Sequence, residues 1–159
     1  MIQFSIENWL LKIENSMNFF QKIKPEWPLR IALGAMYLYS GIDLVRHPTA
    51  WHWALPYWMR EIITSVLSLD TYLVGQGIVE LAFAVVLLAW FLPRGAVWVV
   101  TVASVFEFAA ILILAFVPFS EVNFSITFRD IGLLGASIAL FLLVYPQAIS
   151  RSSDMPPLE

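Results

Sequence analysis

Residues 72–117 are apolar almost without a break. Their only charges are Glu80, Arg94 in the link LPRGA at 92–96, and Glu107. Each arm of this run has about 20 residues, enough at 1.5 Å per residue to cross ~30 Å of hydrocarbon as a helix. A link this short makes the two arms an antiparallel hairpin. The rest of the chain gives them little cover. It has 159 residues, 60% hydrophobic and 13% charged, with a mean hydropathy of +0.77. Soluble domains run near 45–50% apolar and 25% charged. The composition therefore predicts a membrane protein, with the lipid bilayer as its first partner.

Two further apolar segments, at 29–45 and 130–145, are slightly short for a span and are expected to thin the bilayer locally or snorkel at their ends. Pro28, Pro93, Pro118 and Pro146 stand at segment boundaries, where a missing N–H costs least. The expected fold is all-α: an antiparallel bundle of four transmembrane helices at 29–45, 72–92, 96–117 and 130–145. These belong to one membrane domain over 1–150, followed by a disordered polar tail at 151–159. With both termini inside, Lys12, Lys22, Lys24, Arg30, Arg94 and Arg151 are cytoplasmic. Arg46, Arg60 and Arg129 are then outside, and this excess of basic residues favours that orientation.

Ahead of the first segment, Ile6, Trp9, Leu10, Ile13, Met17 and Phe20 recur at helical spacing between charged residues. They predict an interfacial amphipathic helix over about 5–22, with a partner-binding helix as the alternative. Glu7 and Glu14 come early, without a basic start before a short apolar core, so a secretory signal peptide is not expected. In the outer loop, Trp51, Trp53, Tyr57 and Trp58 form an aromatic belt. Trp58, Ile62, Ile63, Val66 and Leu69 suggest a short helix on the membrane surface.

Several chemistries are poorly served. The formal charge of −3 argues against a nucleic-acid partner, and the absence of cysteine excludes thiolate and iron–sulfur chemistry. His47 and His52, separated by a proline, are weak metal ligands, and no histidine falls within a span to hold haem. Neither a glycine-rich phosphate loop nor a Ser–His–Asp arrangement is present, so intrinsic catalysis is not expected.

The charges inside the spans carry the functional content. On a helical wheel Glu107 shares a face with Val100, Ala103, Ser104, Ala110, Ile111 and Leu114, while Trp98, Val105, Leu112 and Phe116 lie opposite. Small residues let helices approach, so Glu107 is expected inside the bundle. Gln76, Glu80 and Ala84 form a similar stripe beside Gly77, with Ile78, Val85 and Ala89 facing away. Counted from the outer boundary, Glu80 is ~10 Å deep and Glu107 ~14 Å deep, within about one turn of the same level. Charges at such depth are costly, so either a proton is held between the two carboxyls or a cation neutralises them. Arg129, opening the last span, is the nearest cation. It is expected on a close-packing face with Gly132, Gly135, Ala136 and Ala139. Arg30, Gly34, Tyr37 and Gly41 line one face of the first span, with Tyr37 supplying a hydroxyl. Asp43 and Arg46 are expected to form an interfacial ion pair. A purely structural role for the buried charges, fixing helix register, stays open on these residues alone.

RIALGAMYLYSG in the first span, GIVELAFAVVLLAWFLPRGA across the second, and FRDIGLLGASIAL in the fourth together resemble the DoxX-like membrane proteins, from Arg30 to Tyr145. The resemblance implies a multi-pass protein of a prokaryotic inner membrane, with family-like charges at Arg30, Glu80, Arg129 and Asp130. The family name comes from a subunit associated with a quinone-linked oxidoreductase. A departure stands at GIDL, 41–44, where many members carry a basic residue. Related four-helix redox proteins use cysteine pairs, which this chain lacks.

Three roles follow. The first is a non-catalytic subunit of a quinone-linked redox complex, with Glu80, Glu107, Tyr37, Gln76, Arg30, Arg129 and Asp130 as ligand-binding or proton-carrying candidates. Its cofactor would be a quinone and its partner an oxidoreductase subunit. The second is a small proton-coupled transporter, whose thin wall would call for a homo-oligomer. The third is a membrane scaffold.

Overall fold

The computed structural model describes residues 24–115 and 124–153, with side chains at 24–114 and 129–145. The expected interfacial helix at 5–22 and residues 154–159 of the tail lie outside the described residues. Within them the chain is helical, and no strand occurs among them. Helix α1 covers Glu26–Arg46, and a 3-10 helix covers Pro48–Ala54. The short α2 is Tyr57–Thr64, followed by α3 at Leu69–Leu88, α4 at Arg94–Ala115 and α5 at Phe124–Ser153.

Helix boundaries follow local chemistry. Pro28 falls in the first turn of α1, where its missing N–H has no intrahelical use. Glu26 in the first turn and Arg46 in the last oppose the ends of the helix dipole. Ser68 caps α3 by accepting a hydrogen bond from the Thr71 N–H at 3.2 Å, so α3 starts before the expected position 72. It stops at Leu88, four residues before the end of the apolar run, and the chain turns through 89–93. Ala89 is buried in that turn instead of facing outward as the wheel implied. At the other end of the bundle α5 runs on through Pro146 to Ser153, past the expected boundary at 145, so residues 151–153 are helical and not part of a disordered tail.

Antiparallel α1 and α3 form the closest pair. A Cβ on Gly41 would lie 2.8 Å from the Gly77 carbonyl oxygen, and one on Gly77 would lie 2.9 Å from that of Gly41. Backbone meets backbone here, and only glycine fits both sides of the crossing. α4 packs chiefly on α5, and α5 returns to α1. The shared core contains Leu33, Tyr37, Ala84, Leu87, Val97, Val100, Phe108, Leu140 and Val144.

Outside this core the surface is apolar. Tyr39, Val85, Phe106 and Leu142 are more than half exposed. Two helices, Leu69–Leu88 and the Arg94–Leu114 stretch of α4, are long and apolar enough to cross a membrane, and only 28% of each apolar window is buried. A soluble core helix would be sheltered far more completely.

Two expected faces are corrected. On α4, Trp98, Val105 and Leu112 are half-buried, and the outward stripe is Val99, Phe106 and Ile113. The helix is rotated because α5 covers the side that the wheel left to lipid. On α5, Gly132 and Gly135 are exposed, and a Cβ at either would meet nothing within 4 Å. Among the described residues the glycines of the expected close-packing face meet no neighbour, although Ala136 beside them packs against the core. Inward positions are taken by Asp130, Ser137, Leu140 and Val144.

Candidate functional site

Where α1, α3 and α4 face one another, their polar residues form one cluster. Tyr37 projects from the buried side of α1 at 1% exposure and donates its O–H to Glu107 Oε2 at 2.9 Å. Gln76, on α3, donates its amide N–H to Glu107 Oε1 at 2.5 Å. Each oxygen of Glu107 therefore has its own donor. Around Tyr37 the walls are aromatic: Phe83 meets it edge-on at 5.4 Å between centroids, and Phe108 stacks at 5.8 Å.

Glu80 sits one turn beyond Gln76 on the same face of α3 and is 8% exposed. Its Oε2 is buried with no hydrogen-bond partner, an expensive arrangement for a carboxyl group. Ser40 and Gln76 are its polar neighbours, and Glu107 is near enough to act on it electrostatically. Among the described residues neither Glu80 nor Glu107 forms an ion pair. The two carboxyl groups thus share a cluster but differ in surroundings. Glu107 is held by two donors and half-buried, while Glu80 is buried and under-served.

The expected cations are engaged elsewhere. Arg129 is 59% exposed and its Nε donates to Asp130 Oδ1 at 3.0 Å, so its ion pair is with its neighbour on α5, while its charge still acts on Glu80 from a distance. Asp130, in contrast, is almost completely buried. Arg30 is buried and donates from Nε to the Leu87 carbonyl at 2.9 Å. Its Nη2 donates to the Ala89 carbonyl at 2.8 Å and to that of Val86 at 3.5 Å. Trp27 lies under the guanidinium at 4.4 Å. Arg30 is thus a C-terminal cap for α3, placed where the helix dipole favours a cation, and does not reach the carboxyl cluster. Of the sequence candidates, Tyr37, Gln76, Glu80 and Glu107 come together, Arg129 acts on Glu80 electrostatically without an ion pair, and Arg30 and Asp130 do not join them.

Two cluster members escaped the sequence reading as site residues. Ser40 follows Tyr37 by three residues and so shares its face. Ser104 precedes Glu107 by three, is buried, and lies close enough to Tyr37 to engage its hydroxyl. Their helical spacing from Tyr37 and Glu107 was the available signal.

A second polar group ties down the outer loop. Trp51 Nε1–H donates to Asp43 Oδ2 at 2.8 Å, replacing the expected Asp43–Arg46 pair, and His52 Nε2 lies 2.7 Å from Asp70 Oδ1. His52 is thereby committed to a carboxylate at the start of α3. Nearby, Arg60 caps the Leu55 carbonyl at 2.7 Å, and the hydrogen bond of exposed Tyr57 to Glu61 pushes its phenol up from the ordinary range.

No protein-family model, curated protein or solved structure matches the chain. The likeness to the DoxX-like family rests on its sequence motifs alone.

Proposed function

We propose that the chain is a four-span, DoxX-like protein of a prokaryotic inner membrane, both termini cytoplasmic, that serves a quinone-linked redox complex as a non-catalytic subunit. In this reading the Tyr37–Gln76–Glu80–Glu107 cluster binds a quinone-type ligand and handles its proton. One observation carries the proposal. Tyr37 and Gln76 both satisfy Glu107, whereas the neighbouring Glu80 is left buried with an unpartnered oxygen. A purely structural polar cluster gains nothing from an orphaned carboxyl oxygen. A ligand with an oxygen of its own would fill that position. A proton shared between Glu80 and the ligand oxygen would also make the burial tolerable.

The apolar helices support the membrane setting, since the bundle exposes Val85, Val99, Phe106 and Ile113 around α3 and α4. The aromatic lining of Tyr37, Phe83 and Phe108 suits a flat ring. The test is mass spectrometry on gently purified protein at native expression, comparing wild type with the Glu80→Gln, Glu107→Gln double variant. Quinone and an oxidoreductase polypeptide should accompany the wild type, with the quinone lost in the variant. Partners that survive the double substitution, with no quinone in either sample, would make this a scaffold and reject the ligand role.

A further inference from the structure

Polar groups lead from the carboxyl cluster toward one end of the bundle. On α3, Tyr72, Gln76 and Glu80 follow one another a turn apart on a single stripe. They pass from half-buried at Tyr72 and Gln76 to buried at Glu80. The next residue of the stripe is Ala84, at 0% exposure. On α1, Tyr37, Ser40 and Asp43 step in the same direction, to the 3-10 helix, where Asp43 accepts from Trp51 at 2.8 Å. Tyr72 lies in the first turn of α3 with half-exposed Asp70, and Glu107 is near enough to act on its phenol electrostatically.

Toward the 89–93 turn the same helices are dry. Leu33, Ala84, Leu87, Val97, Val100 and Leu140 are all buried in one continuous core. Counted from Glu80 to Leu87, from Ser104 to Val97 or from Tyr37 to Arg30, this plug is about 10 Å thick at 1.5 Å per residue. Its polar side chains do not form a chain. Thr101 donates to the Val97 carbonyl at 2.7 Å and Ser104 to that of Val100 at 2.9 Å, while Arg30 is spent on the end of α3. Ser137 Oγ and Trp98 Nε1 are buried with no hydrogen-bond partner, so neither links to a neighbour. Moving a charge through such a layer is costly.

We infer that the cluster exchanges protons only with the end of the bundle that carries the 3-10 helix, and that Tyr72 is the entry group. Tyr72 takes a proton from water at that end as it gives its own to Glu107. Glu107 passes one on to Glu80. Gln76, bonded to Glu107 and neighbouring Glu80, is a positioning residue that holds the two carboxyls together. One proton enters, the charge of the cluster changes by one, and no electron moves. The other groups acting on the pair are Tyr37 from α1 and Arg129 from α5. This rests on the proton-handling part of the reading above and adds to it the side from which the proton comes. In the proposed topology that side is outside.

The test uses the full-length protein in sealed vesicles of ether lipids, which contribute no carbonyl band, with no quinone added. The chain contains no cysteine, so Thr49→Cys and Gly95→Cys each create one labelling site, the first at the 3-10 helix and the second at the opposite end. Biotin maleimide on either captures the vesicles in which that end faces out. The signal is the infrared C=O stretch of a protonated carboxyl, assigned by its loss in Glu80→Gln and Glu107→Gln. With the inner pH held by trapped buffer, a pH step outside should change this signal when the 3-10 end faces out. It should leave the signal unchanged when the 89–93 turn faces out, and a protonophore should abolish the difference.

Tyr72→Phe should slow the response by about tenfold or more, as expected for losing a proton-transfer group, and Tyr72→His should restore it. Tyr39→Phe, on the exposed side of α1, should respond like wild type. A response to the turn end, or equally to both ends, overturns the one-sided path and leaves the ligand reading to its mass-spectrometric test. Wild-type kinetics in Tyr72→Phe overturn Tyr72 as the entry. A carboxyl signal that ignores pH even with the protonophore rejects the path together with proton handling by the cluster, whether or not quinone co-purifies.

Discussion

Tyr37 and Gln76 both act on one carboxylate, which makes their energetics unequal to two independent hydrogen bonds. Tyr37→Phe leaves Glu107 Oε2 without its donor and should cost about 1–3 kcal/mol, read by chemical unfolding in detergent. Combining it with Gln76→Leu should depart from the sum of the single effects, because the partner is shared. Glu80 should behave in the opposite way. Glu80→Met removes a buried oxygen that has no partner, and should raise thermal stability while ligand binding is lost. A clear loss of stability would instead make Glu80 a structural member of the cluster. Arg30 is a cap serving several carbonyls through a planar fork. Arg30→Lys should therefore fail to restore the melting temperature lost in Arg30→Met.

Between elements, glycine has two opposite meanings in this chain. Gly41 and Gly77 touch across α1 and α3, so alanine at either should destabilise the bundle by about 1–3 kcal/mol through overpacking. Gly132 faces open space on α5, and Gly132→Ala should be neutral or stabilising by up to about 1 kcal/mol from helix propensity alone. Thermal unfolding of the three variants checks both. This contrast explains why the expected packing face of α5 was misplaced: a row of small residues records that a close approach is permitted, not that it occurs. The face of α4 was misjudged for a related reason. Nearly every residue around it is apolar, so periodicity cannot separate a face covered by α5 from one facing lipid. On α3 the stripe of Gln76, Gly77, Glu80 and Ala84 was readable, because polar and small residues coincide there with the buried side.

At the scale of the molecule, the bundle consists of two close pairs, α1 with α3 and α4 with α5, joined at a shared core around Tyr37, Leu87, Val100 and Leu140. The polar cluster lies where the pairs meet, so a change at their junction should affect ligand affinity before it affects helix content. The proposed topology, four spans with both termini inside, makes a direct prediction. In intact cells Thr49→Cys, in the 3-10 helix, should react with an impermeant maleimide added outside. Gly95→Cys, at the α3–α4 turn, should react only after the membrane is opened. Labelling of both positions from the same side would break the topology.

Composition and two long apolar runs determined by themselves that this chain is helical and carries segments able to span a membrane, because backbone groups in hydrocarbon must be satisfied within each helix. That Glu80 and Glu107 come near each other was equally readable, since helical rise per residue is constant. Which donors face them was not. That Gln76 and Tyr37 both reach Glu107, that Arg30 is spent on the end of α3, and that Arg129 turns to Asp130 depend on how far each helix rotates as it packs. Rotation is set by contacts between helices distant in sequence, and only the tertiary structure decides it.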